Sequence, residues 1–283
     1  MPARIVVTGA SGFVGRSVVS KLRDSNKYDV VAVSRTNREG FHNVQEYSDS
    51  PKGDLLIHLG EESTLRKVDD DAVIRAKKTI TSLTEANRYK HVIYASSGVL
   101  YGENSEARHT TSDTIFRSNF YSELKINSEQ AVMNSHSGVV VRLSNIIGPN
   151  MSTNSVVSKI LHQLPTASDI RLESISPVRD FLWIDDAASC FTSLTHAMLD
   201  GINTEPILNL SSGIGTSIES LAKTFLEFSK APGRRVIGEN ETNTKSVIIL
   251  DNSETLNQLN WHPNVSLREG VAVLCQIQSK IMK

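Results

Sequence analysis

Apolar positions along the chain fall into short β-branched runs separated by amphipathic stretches. Arg4 to Thr8, Val30 to Ser34, Asp54 to Leu59, His91 to Ser96 and Val139 to Leu143 read as buried strands. Phe13 to Ser25 sets Val14, Val18 and Leu22 on one face, which is a helical period. Asp69-Asp70-Asp71 opens a helix predicted to reach about Arg88, its acidic first turn matched to the helix dipole. Past Leu143 the alternation loosens at the break Gly148-Pro149-Asn150. Beyond it a helix is expected over Val156 to Leu164, then a strand over Asp180 to Ile184 and a helix containing Cys190. Leu208 to Leu210 reads as a strand, Ile218 to Lys230 as a helix, and a last helix starts at Leu267. Strands alternating with helices predict an α/β fold with a doubly wound parallel sheet and a smaller C-terminal α/β lobe. The division is expected near residue 150, with 151–283 mainly in the second lobe and segments near 178–212 returning to the first.

Composition narrows the classes. Thirty basic and 31 acidic residues in 283 leave a net charge of −1, so the diffuse positive field of a nucleic-acid binder is missing. No apolar run approaches the roughly 18–20 residues that cross a bilayer, and the N-terminus has no signal-peptide layout. Cys190 and Cys275 form no CxxC pair and read as small core residues. A soluble, cytoplasmic protein without a metal site is expected.

Thr8-Gly9-Ala10-Ser11-Gly12-Phe13-Val14-Gly15 lies between the first strand and the first helix. Glycines there allow a tight turn, close backbone approach to a pyrophosphate, and close helix–strand packing. The helix N-terminus offers free N–H groups to phosphate. The setting makes residues 1–150 a Rossmann-type dinucleotide-binding domain, with Gly9, Ser11, Gly12, Phe13, Val14 and Gly15 on the cofactor. At the end of the second strand Ser34 stands where an NAD enzyme usually carries a carboxylate, and Arg35 follows. A guanidinium suits a 2′-phosphate. NADP(H) is therefore expected over NAD(H), with Arg38 as a second contact; the alternative leaves Arg35 stacked on adenine or facing water.

Tyr121 and Lys125 stand four residues apart, on one face of a helix. An ammonium beside a phenol favours the phenolate and fits the tyrosine for proton transfer near neutrality. Ser96 and Ser97 close a buried strand, where ligands of open α/β sheets bind.

These motifs in this order resemble the extended short-chain dehydrogenase/reductases, the NAD(P)-dependent epimerase/dehydratase family that works on nucleotide sugars. The glycine spacing GxxGxxG, the stretch Ser96-Ser97-Gly98-Val99-Leu100-Tyr101-Gly102 and the Tyr121/Lys125 pair carry the resemblance. So do Arg142 to Pro149, Arg179-Asp180-Phe181, and Leu259-Asn260-Trp261-His262-Pro263 near the end. The resemblance implies Ser97, Tyr121 and Lys125 as the catalytic set, with Ser96 as backbone support. It places Leu59 and Gly60 beside the nicotinamide and Tyr121 and Lys125 against its ribose. Ser97, Gly98, Asn145 and Arg179 fall to a nucleotide-diphosphate sugar, Arg179 at the diphosphate. A homodimer through the helices around 72–88 and 121–135 is likewise implied.

Gly98 and Val99 replace the Asp-Glu pair of the family's dehydratases, and Gly98 replaces the cysteine of its GDP-fucose synthase type. The expected activity is thus NADPH-dependent reduction at C4 of a nucleotide-linked 4-keto-6-deoxy sugar. The alternatives are a 4-epimerase with a recycled cofactor or a non-catalytic NADP(H) sensor. The chain departs from the pattern at Gly60-Glu61, where the family has Ala-Ala, and at Arg75, where Asn is common. Glu61 and Glu62 are read as solvated loop charges, His58 as a satisfied core histidine, and the third strand as reduced.

Overall fold

The strands are β1 (Arg4–Thr8), β2 (Asp29–Ser34), β3 (His42–Asn43), β4 (Leu55–His58), β5 (His91–Ser97) and β6 (Gly138–Leu143). They continue as β7 (Asn145–Ile147), β8 (Ile170–Leu172), β9 (Val178–Trp183), β10 (Ile207–Leu210), β11 (Gly215–Ser217), β12 (Val236–Gly238) and β13 (Val247–Ile248). The helices are α1 (Phe13–Asp24), α2 (Asp70–Leu83), α3 (Phe120–Met133) and α4 (Val156–Gln163), then α5 (Ile184–Leu199), α6 (Ile218–Phe228), α7 (Ser253–Leu259) and α8 (Leu267–Ile281). The computed structural model describes residues 1–62, 67–103, 107–231, 233–240 and 245–281.

Among these residues, seven parallel strands form one sheet in the order β10-β6-β5-β4-β1-β2-β3. The chain runs outward from β1 to β3, then crosses back to lay β4 on the other side of β1. The reversal opens a crevice at the C-terminal ends of β1 and β4, where α/β sheets bind ligands. Side chains alternate faces along each strand. Ile5, Val7, Leu55, Ile57, Ile93 and Val141 pack with Val18 and Leu22 of α1 and Phe191 and Leu194 of α5. Val6, Leu56, Val92, Tyr94 and Val140 face the other way, onto Ile80 and Leu83 of α2 and Val132 of α3. Burial on both faces explains why these strands read as continuous apolar runs.

A second lobe is built on β9, which pairs antiparallel with β11 and parallel with β7 and β13; β8 and β12 form a separate pair. Its core joins Phe181 and Trp183 to Val157 and Ile160 of α4, Leu221 and Phe225 of α6, and Val271 of α8. After β9 the chain returns to the large sheet, as α5 against α1 and β10 beside β6. The Trp261 indole then donates to Ser189 Oγ of α5 at 2.8 Å, pinning the segment after α7. No helix of the described residues is long and apolar enough to cross a membrane.

Some elements differ from expectation. Helix α2 stops at Leu83 rather than Arg88: Thr84 Oγ1 bonds the Ile80 carbonyl at 2.9 Å, and the Arg88 guanidinium is drawn to the carbonyls of Ser48 and Ser50. Asp69 caps that helix, accepting from Ala72 N at 2.8 Å. Strand β9 begins at Val178 and ends at Trp183, because Ile184 already starts α5. The third strand is short, two residues on an exposed edge.

Candidate active site

The first wall is the loop from β1 to α1. Gly9 has φ +67°, and a Cβ there would lie 2.4 Å from the Leu59 carbonyl oxygen. A Cβ on Gly15 would meet the Gly9 oxygen at 2.2 Å. Two of the three glycines are thus demanded by packing alone. Gly12 is the residue before α1 and provides no side-chain cap, so the first helical N–H groups are left for a ligand. These features fit a dinucleotide pyrophosphate.

Helix α3 brings the second wall. Asn119 and Ser122 form a reciprocal capping box that sets its start. Tyr121, Lys125 and Glu129 then follow at four-residue spacing, all buried. The wall meets β5, where Ser97 ends the strand and its Oγ accepts from Val99 N at 3.3 Å. Ser96 is turned away: its Oγ donates to Glu129 Oε1 at 2.5 Å. Glu129 in turn holds Arg142 of β6 through two bonds of 3.0 and 2.8 Å. Arg142 also donates to the Tyr101 hydroxyl at 2.9 Å, which donates to Asn209 Oδ1 at 2.8 Å. This buried chain locks β5, β6 and α3 together, and so fixes Ser97 relative to Tyr121.

Gly9, Ser11, Gly12, Phe13, Val14, Gly15, Arg35, Leu59, Gly60, Ser97, Tyr121, Lys125 and Asn145 line one cleft of about 910 Å³. Ser155, Val157 and Phe181 also line it, and so do Tyr47 and Thr36, which lie beside Gly60 and Arg35 and show no pattern in the sequence. Tyr47 closes over Gly60, where a Cβ would be 2.3 Å from its ring. Ser34 lies behind the wall, fully buried, with its Oγ 3.0 Å from Ser11 Oγ and 2.9 Å from Thr36 Oγ1. Arg35 is exposed, its guanidinium 4.8 Å above the Tyr47 ring.

Besides Ser34, three expected site residues stand off the cleft. Arg38 is exposed, and its backbone N–H donates to Asn43 Oδ1 at 3.1 Å. Gly98 is buried, with Leu250 occupying the space a side chain would need. The Arg179 guanidinium pairs with Glu103 Oε2 at 3.2 Å and donates to Ser246 Oγ at 2.7 Å. Asn145 does face the cleft, and its Nδ2 donates to the Asp180 carbonyl at 3.2 Å.

One reading is corrected. The Glu61 side chain is not a solvated loop charge but is 5% exposed, with Oε2 3.1 Å from Lys125 Nζ. Its carboxylate also accepts from the Tyr94 hydroxyl and, at 2.5 Å, from Ser128 Oγ. Lys125 donates besides to the Ala95 carbonyl at 3.0 Å. Burial alone would lower its pKa, but Glu61 and the Tyr121 oxygen outweigh that and leave it raised, so the ammonium stays charged. Burial first, and Glu61 next, push the Tyr94 phenol well above its usual range. The sequence carried the signal in the Gly60-Glu61 departure; what it lacked was the fold that turns the carboxylate inward. His58 is buried, with Nδ1 2.6 Å from Thr8 Oγ1. Among the described residues its Nε2 has no hydrogen-bond partner, and it sits 4.0 Å from Glu61 Oε1. Burial lowers its pKa to about 4, so the ring is neutral and the contact is not an ion pair.

A parallel sheet with this switch point, a glycine-floored cleft and a Tyr/Lys pair define an NAD(P)-binding enzyme of the Rossmann type. The chain belongs to the NAD dependent epimerase/dehydratase family, whose sequence profile matches residues 5–209. It is 23% identical to the CDP-abequose synthase of Salmonella typhimurium, over 95% of this chain and 96% of that protein. It is 24% identical to the GDP-6-deoxy-D-talose 4-dehydrogenase of Aggregatibacter actinomycetemcomitans, over 80% of each. The structure of UDP-glucose 4-epimerase from Thermotoga maritima with UDP-glucose superposes with a TM-score of 0.83 at 21% identity, over 99% of this chain and all of that one.

Proposed function

We propose that this chain is a nucleotide-sugar 4-epimerase that retains its dinucleotide through the catalytic cycle. The observation that carries the reading is the single cleft that joins the glycine loop, Ser97, Tyr121 and Lys125 to Asn145 and the second lobe. The dinucleotide, when bound, supplies reversible acceptance of hydride. Tyr121 takes the proton of the C4 hydroxyl and later returns it. Ser97 orients the C4 oxygen, and Lys125, one turn along α3 from Tyr121, offers its remaining donor to the dinucleotide ribose. The second lobe binds the sugar nucleotide, with Asn145 of β7 at its edge. Arg179 exchanges its pairing with Glu103 for the diphosphate. No acid–base side chain stands at Gly98 or Val99, which disfavours elimination of water.

Relatives named for a 4-epimerase and for a 4-dehydrogenase share carbon 4 and a nucleotide-linked sugar as the site of reaction. Epimerisation is preferred to net reduction because stacking on Tyr47 accounts for Arg35 without a 2′-phosphate. The same reasoning makes NAD the proposed cofactor. One observation favours the reductase reading with NADPH: the hydroxyls of Ser11, Ser34 and Thr36 form a chain ending beside the exposed Arg35, a setting that suits phosphate. Incubation of the protein and NAD with UDP-, CDP-, GDP- and dTDP-linked hexoses, read by NMR, separates the two. C4 epimers at equilibrium without net NADH are expected; stoichiometric NADPH loss on a 4-keto sugar returns the reductase.

A further inference from the structure

Lys125 does not face Tyr121 as a bare cation. Its Nζ lies 6.0 Å from the Tyr121 ring centroid, 3.1 Å from Glu61 Oε2 and 3.0 Å from the Ala95 carbonyl. Two of its three donors are thereby used within the protein, in the seam between β5 and α3. We propose that Glu61 is a positioning residue: it anchors Lys125 in that seam, and the two act on Tyr121 as a neutral pair.

The carboxylate is held from three elements. From α3 it meets Lys125 and Ser128, with Tyr121 and Glu129 one turn to either side of Lys125. From β5 it accepts from Tyr94, a phenol that stays protonated. From β4 it faces the neutral His58 ring. Behind it a cavity of about 170 Å³ is walled by Arg35, Glu46, Glu62, Lys67 and Arg75. Two hydroxyl donors and one ammonium reach the buried carboxylate, and pairing of this kind is the condition under which such a charge is tolerated. A negative charge this close to Lys125 cancels much of the field that the ammonium projects onto the phenol.

The inference rests on Tyr121 being the proton-carrying group, and its test needs no substrate. Tyrosinate absorbance is followed against pH in the intact protein; the step missing from Tyr121→Phe belongs to Tyr121. Glu61→Gln should move that step down by about one pH unit or more. Lys125→Met should move it up by a similar amount. The double variant, with the pair removed together, should return most of the way to wild type. Where Glu61→Gln alone does not fold, the double variant against Lys125→Met still decides, since joint removal of a buried pair is tolerated far better than breaking it. A step unmoved by Glu61→Gln, or a double variant that follows Lys125→Met alone, overturns the proposal. Failure to turn over any nucleotide sugar would count against the epimerase reading and leave this titration untouched.

Discussion

At the C-terminal ends of β4 and β5 the charged groups are buried against partners, whereas at the end of β2 they stand in solvent. Lys125 is paired with Glu61 and Arg142 with Glu129, each side chain under a tenth exposed. Arg35 and Arg38 are exposed, and only Arg35 has a packing role, on Tyr47. The first region cannot lose a charge without stranding its partner, so folding constrains it. The second can change at little cost to the fold.

The largest effect expected in the buried region is chemical. Tyr121→Phe should cut turnover roughly 10²–10⁴-fold, while dinucleotide binding followed by fluorescence changes little. Next comes stability. Glu129→Ala strips the buried Arg142 guanidinium of its carboxylate and leaves the Ser96 hydroxyl without its acceptor, and chemical denaturation should show a loss of about 3–5 kcal/mol; a loss below about 1 kcal/mol would mean the pair is not integral to the fold. Acid is a milder probe of the same region. His58 is neutral when folded, with its pKa lowered to about 4, so its stabilising contribution is complete above the unfolded value and is lost as pH falls towards 4. The loss is about 3 kcal/mol, and a His58→Gln variant should flatten that limb of the stability profile. Smallest is the solvent-exposed end. Arg35→Ala should alter NAD affinity by less than about threefold, as for a surface side chain; a tenfold loss confined to NADPH would restore the 2′-phosphate role and blur the contrast.

Legibility in the sequence follows the same divide. Strands buried on both faces show as apolar runs, and the cleft's two walls show as glycine and Tyr/Lys spacings, because local geometry dictates both. What could not be read were contacts made across elements. Glu61 looked like a loop charge because nothing near it in sequence says that Lys125, Tyr94 and Ser128 converge on it. Tyr47 gave no pattern, since its partner Gly60 lies on another segment. Arg179 matched a motif, yet its pairing with Glu103 and Ser246 depends on where β13 comes to lie. The end of α2 was misplaced by a tertiary pull on Arg88, which no helix propensity encodes.

The most direct test of the C4 hydride cycle is an isotope measurement. The protein would be incubated with NAD and a nucleotide sugar deuterated at C4, and both epimers and the free dinucleotide pool analysed by mass spectrometry. The account predicts deuterium retained at C4 in substrate and product, with none in the free pool. Deuterium accumulating in released reduced dinucleotide, with a 4-keto sugar left behind, would contradict it.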